Sequence, residues 1–282
     1  MSKISDRVAN MFATFKGVTK VILLSRPVKY MTEAASDSSL IIMGNGPSLA
    51  TAIAECRDVL ETHPLMAVNF AANTDEFLEL KPRYYVMADP VFFGDGNDNV
   101  ERLWRRLSEC VKWEMTLFVP YDSIKKARAL CPDCDIRPFN FVGVEGFDAI
   151  RHMFYRHRLG MPRPRNVLIP AIMIGLWLGF KEIYLTGADH SWTKTLDVSD
   201  ENEVISIQPH FYADNDSEHK RVASVYKNVR LHDVLLSFHI AFKAYFDIQK
   251  FAAGIGARIY NATPGSFIDA FRRRKLSDLR EK

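Results

Sequence analysis

Ser39-Leu40-Ile41-Ile42-Met43-Gly44-Asn45-Gly46-Pro47-Ser48-Leu49 is the stretch that decides the fold, because an apolar run breaks there into a glycine-rich turn and a helix-forming segment. Such a run is typical of a buried strand. The two glycines can adopt positive φ and let a ligand approach the backbone, and Pro47 suits a first helical turn. Unpaired N–H groups and the helix dipole favour a phosphate there. Because the turn is neither a full dinucleotide fingerprint nor a P-loop, an ordinary strand-to-helix turn remains the alternative.

Three later apolar runs also end in polar residues. The runs at 65–69, 84–90 and 182–190 end near Asn69, Asp89 and Asp189. Continuous apolar runs with polar carboxyl ends are typical of parallel strands, and ligands bind at those ends. We therefore predict an α/β fold with a doubly wound, mostly parallel, Rossmann-like sheet and a ligand-binding edge that collects these side chains.

The same periodicity analysis places the remaining elements. We predict strands at 116–120 and 257–261, and helices at 48–62, 101–107, 147–157, 167–179 and 231–252. The helix at 167–179 is apolar nearly all round, which indicates that it lies within the core. Residues 121–165 are difficult to assign outside the helix at 147–157, and the prolines at 162 and 164 oppose regular structure.

The chain divides into three parts. Residues 1–36 form an amphipathic leader, 37–270 a single nucleotide-binding domain, and 271–282 a basic tail. Apolar residues of the leader recur at helical spacing between basic ones, so its helix packs on the domain, on a second subunit, or on a membrane surface. Within the domain, 191–230 is polar and aperiodic, which is typical of a lid.

Composition limits the class of protein. A net charge of +3 over 282 residues gives no indication of nucleic-acid binding. We find no signal peptide and no spanning segment, so we expect a cytoplasmic protein whose termini are available for peripheral contact with the inner membrane. The four cysteines do not form a disulfide framework, although Cys131 and Cys134 have the spacing of zinc ligands or a redox pair. The oligomeric state is left open, with a homo-oligomer among the alternatives.

Two short stretches, in which matching residues are concentrated, resemble the bacterial sialyltransferases of the Campylobacter lipooligosaccharide type. Gly44-Asn45-Gly46-Pro47-Ser48-Leu49 matches that family's nucleotide loop, and Leu178-Gly179-Phe180-Lys181-Glu182-Ile183-Tyr184-Leu185-Thr186-Gly187-Ala188-Asp189 follows its helix-to-strand passage. Weaker likeness at Asn69, at Ala88-Asp89-Pro90 and near Pro264 extends the resemblance over about 38–270. Flagellin-modifying nonulosonate transferases and hydroxymethylpterin diphosphokinase-like proteins share the signature.

The resemblance implies a reaction and a set of binding residues. It implies inverting, metal-independent transfer of a sialic-acid-like sugar from a CMP donor to a saccharide or glycolipid hydroxyl, with no cofactor. A donor and an acceptor would then be the partners. The residues that it assigns to the nucleotide sugar are Gly44, Asn45, Gly46, Ser48, Asn69, Asp89, Arg165, Asn166, Gly187, Asp189, Thr263 and Ser266.

The catalytic residues are less well matched. Where the family has a tyrosine two residues after the strand-end acid, this chain has Ser191. Tyr212 is our candidate for that role, with Tyr226 as an alternative. The family's base is a histidine before the last helix, which favours His232, followed by Asp233. His210 and His219 remain alternatives to His232.

Two other function classes remain open. A pterin diphosphokinase would place Mg-ATP, and we expect its magnesium ligands among Asp89, Asp189, Asp197 and Asp200. A non-enzymatic relic that binds a nucleotide sugar and assembles with polysaccharide enzymes is the third interpretation.

Overall fold

The computed structural model describes residues 3–29, 39–206 and 229–281. Its main sheet has eight strands, every neighbouring pair of them parallel. The strands of this sheet are β1 (Ser39–Met43), β2 (Leu65–Val68), β3 (Tyr84–Val86), β4 (Thr116–Pro120), β5 (Asp135–Phe139), β6 (Glu182–Thr186), β9 (Arg258–Asn261) and β10 (Arg272–Arg273). A separate antiparallel hairpin consists of β7 (Leu196–Val198) and β8 (Val204–Ser206).

Helices connect the strands and cover both faces of the sheet. They are α1 (Lys3–Leu24), α2 (Ser48–Thr62), α3 (Asp75–Leu80), α4 (Asp98–Cys110), α5 (Ile124–Leu130), α6 (Asp148–Arg156), α7 (Leu168–Trp177) and α8 (Leu231–Gly254). One apolar core includes residues of α7 and α8, and the other includes residues of α2 and α4. All ten residues of α7 are buried, as its apolar sequence indicates. None of the described helices is both long and apolar enough to cross a membrane.

The strand order fixes the place of the ligand-binding edge. The order is β10-β9-β6-β1-β2-β3-β4-β5, so the chain runs outward from β1 to β5 and then returns to β6 on the other side of β1. Connections leave the carboxyl ends of β1 and β6 in opposite directions, and this opens a crevice between them. The predicted doubly wound α/β fold is confirmed.

Sequence periodicity placed the predicted elements within a few residues, but it missed the short helices α3 and α5, the β7–β8 hairpin and two elements of the main sheet. Strand β5 was not predicted, because its Arg137 and Pro138 interrupt the apolar run. The residues predicted as a basic tail, 271–282, instead include β10 and a 3-10 helix, Leu276–Glu281. Arg280 pairs with Asp58 of α2 at 2.6 Å, which ties this segment to the domain.

Two other features singled out in the sequence are the lid-like segment and the cysteine pair. Within the lid-like segment, residues 191–206 include a 3-10 helix, Trp192–Thr195, and the β7–β8 hairpin. Residues 207–228 lie outside the described residues. Cys131 and Cys134 form a disulfide between α5 and β5.

Candidate functional site

A cavity of about 430 Å³ lies at the carboxyl ends of β1, β2, β3 and β6. This volume is within the range of small-molecule sites. The residues that line it are Gly44, Asn45, Gly46, Pro47, Val68, Asn69, Phe70, Ala88, Asp89, Pro90, Val91, Phe92, Phe141, Pro164, Arg165, Asn166, Val167, Leu168, Gly187, Asp189, His190, Ser191 and Trp192. The cavity therefore occupies the crevice that the strand order creates.

The glycines of the opening turn allow two backbones to meet. Gly46 N–H donates to Gly187 O at 2.8 Å, and a Cβ on Gly44 would lie 2.4 Å from the same oxygen. Neither Gly44 nor Gly46 has positive φ, whereas Gly187 does, at +64°. The prediction of a positive-φ turn with free N–H groups is therefore wrong for these two glycines. They are needed because the turn after β6 packs directly on them.

The amino-terminal end of α2 already faces a carboxylate. The Ser48 hydroxyl donates to Asp189 Oδ2 at 2.7 Å, and a Cβ on Gly46 would lie 2.0 Å from that oxygen. A negative charge at this position is favourable because the helix dipole is positive there. We expected a ligand to supply the anion at the start of α2, but the Asp189 carboxylate occupies that position. Ser48 is not among the residues that line the cavity.

Two asparagines each leave an amide oxygen without a partner beside the cavity. Asn45 donates its Nδ2 to Val68 O at 3.1 Å, which fixes the amide and leaves Oδ1 free. Asn45 Oδ1 and Asn69 Oδ1 are both buried without a hydrogen-bond partner among the described residues. Asn69 has φ +49°, a left-handed conformation that asparagine tolerates. Both residues line the cavity, so two unpaired hydrogen-bond acceptors lie in its wall.

A third amide, that of Asn166, is fixed by a chain of hydrogen bonds from the core. Its Oδ1 accepts from Leu168 N–H and from the Tyr245 hydroxyl, both at 3.0 Å. The Tyr245 oxygen lies 2.6 Å from His190 Nε2. Since Tyr245 gives its only proton to Asn166, His190 must donate from Nε2. Asn166 Nδ2 is left buried without a partner among the described residues, so the cavity wall also holds an unpaired donor.

His190 is buried against aromatic rings at the inner wall of the cavity. Its ring lies 4.1 Å from that of Trp192, between centroids, and 6.2 Å from that of Phe242. Burial lowers the pKa of His190 to about 3, so the imidazole is neutral at ordinary pH. A neutral imidazole with its proton on Nε2 stabilises the chain that orients Asn166.

We expect this buried histidine to make the protein sensitive to acid. The unfolded chain binds a proton near pH 6.5, whereas the folded protein binds it only near pH 3, so stability should fall as the pH drops below 6.5. The slope from His190 is about 1.4 kcal/mol per pH unit. Urea unfolding of wild type and His190→Gln between pH 7.5 and about 5 measures it.

The difference between the wild-type and His190→Gln curves isolates the contribution of His190 to the pH dependence of stability. Burial and the nearby Arg151 also lower the pKa of His152, but that contribution is the same in both proteins. We expect the wild-type curve to fall more steeply than the His190→Gln curve. Parallel curves would contradict the buried, neutral assignment.

Two charged side chains complete the lining. Arg165 is exposed at the cavity, and partial desolvation together with the nearby Arg163 lowers the pKa of its guanidinium. No carboxylate pairs with Arg165 among the described residues. Asp89 is held by a hydrogen bond of 2.9 Å from Val91 N–H to its Oδ1. An anion bound beside Arg165 would relieve the repulsion between the two guanidinium groups.

Two predicted binding residues lie behind the site. The Thr263 hydroxyl accepts from Ala188 N–H at 3.0 Å, and the Ser266 hydroxyl donates to Ala188 O at 2.6 Å. Both side chains are buried, and they line a groove at the sheet edge instead of the cavity. The prediction that they touch the nucleotide is corrected: they support the turn after β6.

The predicted catalytic residue that the structure describes, His232, lies away from the cavity. His232 is the second residue of α8, its side chain is 81% exposed, and it lies 3.5 Å from Asp233. His232 does not line the cavity. Tyr212 lies outside the described residues, as do Tyr226, His210 and His219. Within the described residues, no group of three or more His, Cys, Asp or Glu side chains is arranged to hold a metal ion.

The sequence interpretation missed His190, Tyr245 and the aromatic wall. His190 directly follows Asp189 at a predicted ligand edge, so its position was a usable signal. Tyr245 lies on the helical pattern of α8 and gives no such signal, because 79 residues separate it from Asn166.

Comparisons with known proteins support the fold and leave the family unassigned. No protein-family model matches the chain. The curated proteins contain no match either. Among solved structures, the MAf glycosyltransferase from Magnetospirillum magneticum AMB-1 is similar over 98% of this chain, with a TM-score of 0.53 and 12% identity. The chain covers 40% of the length of that protein. A likeness at this identity shows a shared fold.

Proposed function

We propose that this protein is a glycosyltransferase that moves a nonulosonate sugar from a CMP donor to a saccharide hydroxyl. The observation that carries the proposal is the set of buried, unpartnered amide atoms around the cavity: two acceptors, on Asn45 and Asn69, and one donor, on Asn166. Buried polar atoms without partners are rare in folded proteins. A ligand rich in hydroxyl groups and with acceptor oxygens satisfies all three.

The groups of a nucleotide sugar match these atoms by type. Amide oxygens accept from hydroxyl or amino groups, so we assign one of Asn45 and Asn69 to a ribose hydroxyl and the other to a ribose hydroxyl or the cytosine amino group. Arg165 supplies positive charge for the donor phosphate, and Asn166 Nδ2 donates to a phosphate or sugar oxygen. This assignment moves the phosphate from the glycine turn, where it was first expected, to Arg165. The similarity of the fold to a glycosyltransferase also supports the proposal.

The transfer itself requires a base for the acceptor proton and assistance to the departure of CMP. The acceptor hydroxyl loses its proton to a base, its oxygen bonds to the anomeric carbon, and the bond to the CMP oxygen breaks with inversion. We propose Asp89 as a further candidate for this base, because it lines the cavity and accepts a hydrogen bond from Val91 N–H. His232 and Tyr212 remain our proposals, from the resemblance, for the base and for assistance to the leaving CMP.

The diphosphokinase interpretation receives less support. A Mg-ATP site needs carboxylates that converge on the ion and the phosphates. Of the four acids that we considered, Asp189 is hydrogen-bonded to Ser48 and Asp89 caps the 3-10 helix Pro90–Phe93. Asp197 lies on the β7–β8 hairpin and Asp200 in its turn, and neither lines the cavity.

A panel of donors tests the proposed reaction. We expect purified protein to release CMP from a CMP-nonulosonate, such as CMP-sialic acid, slowly with water and faster with a saccharide acceptor. The rate should persist in EDTA. UDP-sugars should give no release, and Mg-ATP with a hydroxymethylpterin should give no AMP. Absence of CMP release from every CMP-sugar, or magnesium-dependent AMP release, would overturn the proposal.

A further inference from the structure

Helix α1 contacts the body of the protein along one narrow stripe. Thr14 accepts a hydrogen bond of 2.9 Å from Phe147 N–H, and a Cβ on Gly17 would lie 3.0 Å from the Val144 side chain. Val21 is 7% exposed and completes the stripe. Residues 4–12 are exposed without interruption. The first half of the helix therefore extends beyond the stripe that holds the second half.

A second stripe of α1 is apolar and open to solvent. Ile4, Phe12, Phe15 and Ile22 are 75%, 66%, 74% and 72% exposed. At about 100° per residue, Ile4, Phe15 and Ile22 fall on one line along the helix, roughly 120° from the contact stripe. The other exposed apolar residues of the helix are Val8, Met11, Leu23 and Leu24. An amphipathic helix with such a face needs an apolar partner surface.

The charges beside this face are almost all positive. Arg7 and Lys16 are exposed on its two flanks, Lys20 lies next to Lys16, and Asp6 is the acid of the helix sequence. Arg26 follows shortly after the helix ends. A basic helix with one apolar face is typical of segments that lie in the interface of an anionic bilayer.

A second copy of the chain fits this face less well. If two α1 helices packed apolar face to apolar face, their basic flanks would approach each other with one acid per helix to compensate. Anionic headgroups instead supply the opposite charge along the whole length of both flanks. Charge complementarity therefore favours lipid over a symmetric dimer.

We propose that α1 lies in the surface of an anionic phospholipid bilayer, with its exposed apolar stripe in the acyl boundary and its basic flanks among the headgroups. The segment that follows α1 is joined to the cavity wall. Arg26 N–H donates to Asn140 Oδ1 at 2.9 Å, and Asn140 precedes Phe141, which lines the cavity. This hydrogen bond links the end of the membrane-binding segment to the cavity wall. The proposal does not rest on the proposed reaction.

Vesicle flotation tests the proposal. The full chain is mixed with vesicles of phosphatidylcholine alone or of phosphatidylcholine with phosphatidylglycerol. We expect flotation with the second kind, weakened by salt, and a loss of about tenfold or more in the double variant Phe12→Glu, Phe15→Glu. Arg7→Gln with Lys16→Gln should also weaken binding and reduce its dependence on salt.

A matched double variant controls for the added negative charge. Leu235 and Leu236 are 46% and 54% exposed on α8, so Leu235→Glu with Leu236→Glu makes the same change on another surface and should float like wild type. Circular dichroism and sedimentation velocity on each variant report folding and oligomeric state. No flotation of a folded wild type, equal loss in the α8 variant, or a dimer that Phe12→Glu, Phe15→Glu dissociates without any vesicle binding would overturn the proposal.

Discussion

Replacing Gly187 by alanine is expected to destabilise the protein by about 3 kcal/mol and to abolish binding at the cavity. Two costs add up at this position. Gly187 has φ +64°, where a Cβ costs about 1–2 kcal/mol, and that Cβ would lie 2.4 Å from Gly44 O. Relief of the second contact requires the two turns to separate, and this should move Asn45 and Asp189. Urea unfolding measures the loss of stability.

Gly265 provides the matched control for this substitution. It has φ +69°, but a Cβ there has no heavy atom within 4 Å. Gly265→Ala should therefore cost only the backbone term, about 1 kcal/mol, and leave ligand binding unchanged. If Gly187→Ala and Gly265→Ala had equal effects, the close packing of the two turns would not be the reason for Gly187.

Arg165→Ala is expected to weaken binding of CMP or a CMP-sugar by roughly 30-fold, or about 2 kcal/mol, because it removes a charge-assisted contact to phosphate. Stability should hardly change, since Arg165 has no ion pair among the described residues. Isothermal titration with CMP and with uncharged cytidine measures both effects. Cytidine binding should be the same in wild type and variant.

Arg163→Ala removes a neighbouring guanidinium that does not line the cavity. Long-range attraction between Arg163 and the phosphate is screened, so CMP binding should weaken by less than about threefold. Comparable losses in Arg163→Ala and Arg165→Ala would show a diffuse field of positive charge, and they would contradict a contact at Arg165.

The edge of the sheet could be predicted from the sequence because it depends on local pattern. Asn45, Asn69, Asp89 and Asp189 each follow an apolar run, and parallel strands bring their carboxyl ends together. Arg165 and Asn166 were predicted as binding residues from the family resemblance, and both line the cavity.

The rest of the site depends on contacts between distant segments. The glycine turn looked free for phosphate because nothing local indicates that Gly187 O occupies the Gly46 N–H. The Tyr245 hydroxyl reaches His190 across 55 residues, and a tyrosine within an amphipathic helix predicts only a core position. Thr263 and Ser266 were predicted to follow the last strand, and they do follow β9. Between β9 and β10, however, they pack behind the turn after β6, where Thr263 accepts from Ala188 N–H.

We propose above all that the crevice between β1 and β6 binds a nucleotide sugar through its unpartnered amide atoms. Calorimetric titration of the wild-type protein with CMP, and with the analogue that lacks both ribose hydroxyls, tests it most directly. We predict one CMP per chain and binding of the analogue weaker by about tenfold or more, because acceptor oxygens on Asn45 or Asn69 would stay buried without a donor. No binding of CMP, or equal affinity for the two ligands, would contradict the account.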